Sequence, residues 1–254
     1  MSNYSFFPKN RTFHRLILLL AALLMIFQIT SCKKDSVWQE PASRTLKVWL
    51  HRVNWINKAQ HFQYSYSGFE LDVYYDTVLN TFIVKHDATD TTTLTLSTWL
   101  TAITSPSRLG YWLDFKNLDS LNKDKAFTEL LRIRQNFSLD KEIIVVESCN
   151  PVNLIKFNTL NFRPSYYMPV FDPDTITREQ ETWYRDFTQN YLDRSGIGTI
   201  SANSIQHDFM QKWFPKVNKL LWYLDSYDPA IKDSVIKATG KDPTVEVLLV
   251  PEDY

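Results

Sequence analysis

Glu70-Leu71-Asp72 in GFELDVYYD and Asp114-Phe115-Lys116 in LGYWLDFKNL set ionisable residues two positions apart inside strand-like runs. Residues two apart on a strand share a face, so each pair points one way while Leu71, Val73, Leu113 and Phe115 point the other. Charged pairs in apolar strands are costly to bury without a partner or ligand, which marks them as a candidate site. His51 and Arg52 follow the strand-like TLKVWL, and His86 follows TFIVK. Glu70, Asp72 and Asp114 supply hard carboxylate oxygens, a donor set suited to Mg²⁺ or Ca²⁺ and poor for Zn²⁺. Lys116 offers a point charge to a phosphate oxygen, with Arg52 a second candidate. His51 and His86 are the candidate acid and base, in either order, because an imidazole exchanges a proton near neutral pH. Together these are the groups that metal-assisted phosphodiester cleavage needs.

Strand-like runs are expected at 46–51, 68–76, 109–116, 142–148, 163–168, 197–202, 218–225 and 244–250. Helical patterns fall between them at 54–65, 94–103, 122–136, 151–160, 177–194, 206–214 and 228–239. Strict alternation implies parallel strands joined by crossover helices, and eight such units imply an α/β fold with a single (β/α)8 TIM barrel. The stretch 76–86 departs from it: the strand is expected to turn at Leu79-Asn80 and return antiparallel. Active sites of such barrels gather at the carboxyl ends of the strands, where the ionisable residues above all fall.

The ordered set WLHRVNWINKAQ, FELDVYYD, TFIVKHD, TLSTWL and YWLDFKNL resembles the PLC-like phosphodiesterase superfamily. Its glycerophosphodiester phosphodiesterase branch carries His-Arg, Glu-x-Asp, His-Asp and Glu-x-Lys in that order. The Asp-x-Lys form is similar to sphingomyelinase D-like and menorin-like barrels. The resemblance covers residues 49–118 and departs in three places: Val53 stands where glycine is usual after His-Arg, Trp55-Ile56-Asn57 where a Pro-Glu-Asn segment is usual, and Asp114 where glutamate is usual. It implies a metal-dependent phosphodiester hydrolase acting on glycerophosphodiesters or phospholipid headgroups, or an inactive barrel retained as a binding or scaffolding lipoprotein. Glu147 is a possible further ligand or supporting acid. Trp222, Tyr166 and Tyr167 are candidate pocket residues, Trp222 because a late-strand tryptophan recurs in the sphingomyelinase D-like relatives.

The N-terminus carries Lys9, Arg11 and Arg15, then the apolar LILLLAALLMIF, then Ile29-Thr30-Ser31-Cys32. The run is short for a membrane span, and its end resembles a bacterial lipobox. Residues 1–32 are therefore expected to be a lipoprotein signal peptide ending at the lipidated Cys32, 33–45 a polar tether and 46–254 the barrel, held at the cell envelope on the outer membrane or periplasmic face. Lysines and arginines number 28 and acids 28, a neutral balance that argues against nucleic acid as a partner. A phosphodiester or lipid headgroup, a membrane and a monomeric state are expected instead. With Cys32 lipidated, Cys149 has no disulfide partner and reads as a small buried thiol. His61 and His207 fall in helical stretches and read as surface groups.

Overall fold

A computed structural model describes residues 46–159, 162–223 and 232–252. The expected signal peptide, Cys32 and the tether at 33–45 lie outside the described residues. Eight parallel strands form the barrel: β1 (Lys47–Leu50), β2 (Gly68–Asp76), β4 (Gly110–Phe115), β5 (Ile144–Ser148), β6 (Arg163–Tyr167), β7 (Thr199–Asn203), β8 (Asn218–Trp222) and β9 (Val245–Val250). It closes where β1 pairs with β9 from Lys47↔Val247 to Leu50↔Val250, and with β2 at Leu50↔Phe69. The ninth strand, β3 (Thr81–Val84), is antiparallel to β2. Their turn contains Asn80 at φ 50°, a left-handed conformation that asparagine tolerates better than most residues. All eight expected barrel strands and the antiparallel return are present.

Helices α1 (Ile56–Phe62), α2 (Leu96–Thr101), α3 (Lys123–Asn136), α4 (Ile155–Thr159), α5 (Arg178–Ser195), α6 (His207–Trp213) and α7 (Lys232–Thr239) occupy the crossovers. α5 starts on a capping box, Thr177 with Gln180, and stops at Gly196 in the left-handed region at φ 65°. α3 turns Ala126, Phe127, Leu130 and Ile133 inward against Leu71, Val73, Leu113 and Phe115, the strand face opposite the charged pairs.

Inside the barrel, Trp49, Trp112, Val145, Leu220, Trp222, Val247 and Leu249 form a separate apolar layer. Trp49 fits because two neighbours lack side chains: a Cβ on Gly110 would lie 2.1 Å, and one on Gly68 2.4 Å, from its ring. Pairing one large ring with two glycines fills the lumen without a void, as a packed interior demands. This layer is the floor beneath the charged groups. Towards the amino ends, half-buried Arg163 pairs with buried Glu246. In a separate polar cluster, Asp242 accepts from Thr244, N at 2.9 Å and Oγ1 at 2.6 Å, and meets Lys219 Nζ at 3.4 Å and His207 Nε2 at 3.1 Å. His207 is thus partly buried on an acid rather than a surface group. Cys149, expected to be buried, is exposed.

Candidate active site

β2, β4 and β5 run side by side with Asp72 opposite Asp114 and Asp114 opposite Glu147, so alternation delivers their acids to one end of the lumen. Glu70, Asp72 and Asp114 each offer an oxygen within 4.8 Å of the others. They line a cleft together with His51, Arg52, His86, Trp112, Lys116, Glu147, Tyr167, Trp222 and Leu249. The structure therefore brings together every expected site residue among those described except Tyr166. Tyr166 is buried on the helix-facing side of β6, with its ring centroid 5.3 Å from that of Tyr191. Its neighbour Tyr167 has the opposite strand parity and lines the cleft instead.

The first loop does much of the positioning. Arg52 adopts φ 54°, unusual for a residue with a Cβ, and its backbone N–H then donates to Glu70 Oε2 at 2.7 Å. Because β1 stops at Leu50, the edge of β2 above Phe69 loses its strand partner. Asn54 substitutes for it: Asp72 N donates to Asn54 Oδ1 at 2.9 Å, and Asn54 Nδ2 donates to Asp72 Oδ2 at 2.7 Å. On the same edge Lys85 N donates to the carbonyl of Asp72 at 3.0 Å, where β3 leads into the His86 loop. Asn54 was not singled out from the sequence. The asparagine three residues after His51 was the only available signal.

Lys116 Nζ lies 2.7 Å from Asp72 Oδ1 and donates to Asp114 Oδ2, so one ammonium bridges two carboxylates. Burial works to lower the Lys116 ammonium, but Asp114 and Asp72 outweigh it and hold the group above its ordinary range. Burial, joined by Asp72 and Asp114, raises the Glu70 carboxyl well above the usual carboxylate range. Burial and Asp114 do the same to Glu147. Asp114 is also raised, by burial first, with Lys116 opposing. His51 is pushed down to about 3, chiefly by burial and then by Arg52, with Asp72 acting the other way. Its Nε2 stands 3.8 Å from Glu70 Oε2. His86 is more open, its side chain 45% exposed, with Nδ1 3.1 Å from Asp87 Oδ1.

Two features fit a bound ligand. The oxygen-only donor set of Glu70, Asp72 and Asp114 suits a hard divalent cation. His51 Nδ1, Glu147 Oε2 and Trp222 Nε1 are buried atoms without a hydrogen-bond partner among the described residues, all on residues lining the cleft. Trp222 stands between two other rings, 6.4 Å from His51 and 6.3 Å from Tyr167 by centroids, and with Tyr167 makes the aromatic wall.

No family model matches the sequence, and no curated protein matches it. Solved structures do. A glycerophosphodiester phosphodiesterase from Parabacteroides distasonis superposes with a TM-score of 0.56 at 17% identity, covering 82% of this chain and 93% of its own. An Oleispira antarctica phosphodiesterase in complex with the product sn-glycerol-3-phosphate gives 0.53 at 11% identity, covering 81% and 92%. N-(5'-phosphoribosyl)anthranilate isomerase from Pyrococcus furiosus gives 0.51 at 9% identity, covering 82% and 90%. At these identities the likeness is one of fold: the chain has the (β/α)8 barrel that glycerophosphodiester phosphodiesterases and other barrel enzymes share.

Proposed function

We propose that this protein is a metal-dependent phosphodiester hydrolase of the PLC-like kind, acting on glycerophosphodiesters or phospholipid headgroups, and tethered to the cell envelope through Cys32. The observation that carries the reading is the convergence of Glu70, Asp72 and Asp114 within 4.8 Å of one another in a cleft that Lys116, His51 and His86 also line. The Oleispira antarctica neighbour, solved in complex with its product sn-glycerol-3-phosphate, supports this reading.

Glu70, Asp72 and Asp114 would hold the cation, Mg²⁺ or Ca²⁺. When bound, it supplies positive charge to a phosphate oxygen as negative charge builds there. Lys116, already centred between two of the acids, presents its ammonium to a second phosphate oxygen. Arg52, exposed at the rim, offers a guanidinium to the same group. One imidazole of the pair His51 and His86 takes the proton from the attacking water, and the other gives one to the departing alcohol oxygen as its bond to phosphorus breaks. Glu147, next to Asp114 in register, adds a further acid beside the cation, and Trp222 with Tyr167 gives the leaving group an apolar surface.

The test is hydrolysis of bis(p-nitrophenyl) phosphate and of glycerophosphodiesters with and without Mg²⁺ or Ca²⁺. Cation-dependent turnover that disappears in both His51→Ala and His86→Ala is the expected result. Inactivity across both cations and all diesters would instead assign the barrel a binding role, with Lys116 serving only as counter-ion to Asp72 and Asp114.

A further inference from the structure

The turn that carries His51 is held in a costly conformation. Arg52 stands at φ 54°, in the left-handed region that a side chain disfavours, so the chain between β1 and α1 keeps this shape only where its surroundings fix it. The backbone is pinned on several sides. His51 N donates to the carbonyl of Val250 at 2.9 Å, and Val53 N to the carbonyl of Glu70 at 2.8 Å. Arg52 N donates to Glu70 Oε2, and the carbonyl of His51 accepts from Lys58 Nζ at 3.2 Å. The peptide group joining His51 to Arg52 therefore has its oxygen on an ammonium and its N–H on a carboxyl group, and turning it over would break both bonds. The ring itself has less to hold it. Among the described residues His51 Nδ1 meets no hydrogen-bond partner, and Nε2 stands 3.8 Å from Glu70 Oε2, beyond hydrogen-bond distance. An imidazole is usually aimed by a bond on one ring nitrogen; here the backbone turn sets the aim instead.

We propose that Lys58 is a positioning residue, which through the His51 carbonyl holds the turn that aims the His51 imidazole into the cleft. Helix stability does not explain a lysine there: Lys58 lies in the first turn of α1, where a cation opposes the helix dipole, and that turn carries no acid to offset it. Its side chain is folded back over the His51 turn, 18% exposed, with Nζ 3.5 Å from Glu252 Oε2. Glu252 lies just past the end of β9 at Val250. One segment thus holds His51 N directly, through the Val250 carbonyl, and supplies the acid that orients the Lys58 ammonium. Lys58 is not among the residues lining the cleft, so it acts on a bound diester only through His51. That the aimed imidazole does acid–base work rests on the phosphodiesterase reading; the positioning does not.

Two measurements on the full chain test this. In the first, the histidines are isotopically labelled and the ring signals of His51, identified by their absence from His51→Ala, are followed by NMR at about pH 8, where ordinary imidazoles are neutral. Lys58→Met should shift or broaden the His51 signals and leave those of His207, whose ring sits on Asp242, in place. Lys58→Arg, which keeps a cationic donor, should restore the parent spectrum. Should Lys58→Met not fold, Glu252→Gln decides in its place, with a smaller displacement of the same signals. Unmoved His51 signals, or equal changes at His207, overturn the proposal. In the second, kcat and KM for glycerophosphocholine are measured with saturating Mg²⁺ or Ca²⁺. Lys58→Met should lower kcat by about tenfold or more while KM and cation affinity stay within about twofold of the parent, and Lys58→Arg should recover most of the loss. A higher KM or weaker cation binding at unchanged kcat would put Lys58 on the substrate or on Glu70 rather than behind His51, and overturns the proposal. Should the parent cleave no diester, the phosphodiesterase reading fails, while the NMR comparison still decides the positioning.

Discussion

Replacing Asn54 by alanine isolates the link between the first loop and the acid cluster. The substitution removes the bond from Asn54 Nδ2 to Asp72 Oδ2, at 2.7 Å, and the acceptor that Asp72 N uses at 2.9 Å. Asp72 is buried, and β1 has already ended, so no strand takes over the vacated backbone donor. A hydrogen bond to a carboxylate and an unsatisfied buried N–H each cost about 1–3 kcal/mol; allowing water to reach part of the gap, the sum is about 3 kcal/mol. For a domain of this size that lowers Tm by about 6–12 °C. The same change frees one oxygen of an acid that would hold the cation, so Mg²⁺ or Ca²⁺ affinity should fall by about tenfold, as loss of an outer partner of a ligand commonly does. Circular dichroism melts and calorimetric titration measure the two effects. A variant melting within about 1 °C of the parent and binding the cation equally well would refute the idea that Asn54 stands in for the missing strand.

Glu70→Gln should cost less than about 1 kcal/mol without metal, because burial already favours the uncharged carboxyl, yet abolish the rise in Tm that saturating Mg²⁺ or Ca²⁺ gives the parent, about 2.7 kcal/mol at a hundredfold excess over Kd. Gly110→Ala places a Cβ 2.1 Å from the Trp49 ring and should destabilise by about 1–3 kcal/mol or more, with partial recovery when Trp49→Phe is added; a thermodynamic cycle from urea melts reads the coupling. Burial would raise the Asp242 carboxyl, but the Thr244 hydrogen bonds, Lys219 and His207 outweigh it and hold the group below the usual range. The unfolded chain then takes up the proton first, so this stabilisation is complete above about pH 4 and drains away below it. Asp242→Asn should flatten the acid limb of a plot of Tm against pH.

The barrel was legible because the runs at 68–76, 109–116, 142–148 and 244–250 are short, apolar and separated by helical periods, and parallel strands covered on both faces read that way. The acids were legible because a charge at period two in such a run has few bland explanations. Of the two adjacent tyrosines only Tyr167 reaches the cleft, because neighbouring positions on a strand face opposite ways and the pair alone conceals which one faces inward. Arg163 and Ser165 carry the parity signal, since a polar residue at every second position of a buried strand marks the lumen. Asn54 was missed for another reason. Its role arises from the end of a different strand, at Leu50, and a turn asparagine has no periodicity to betray it. His207 likewise gains its partner Asp242 from 35 residues away. Trp49 and the two glycines that admit it are three positions on three strands, whose complementarity appears only when the sheet closes.

The charges at the mouth bear on whether the cluster is a structural ion network or a site awaiting a ligand. A network that exists only for stability matches its charges, so that each carboxylate gains a cation and titrates at or below its usual range. Here Glu70, Asp72, Asp114 and Glu147 crowd neighbouring strands against Lys116, with Arg52 exposed at the rim. Asp72 and Asp114 take two of the three Lys116 donors, and the acids still outnumber it: Glu70 and Glu147 are raised well above the carboxylate range, and Asp114 is raised despite its lysine. A rigid floor of Trp49, Trp112 and Trp222 prevents the acids from relaxing apart. The barrel mouth thus holds more carboxyl groups than Lys116 can neutralise. Positive charge brought in from outside is what would let all of them ionise, so cation binding should be accompanied by proton release.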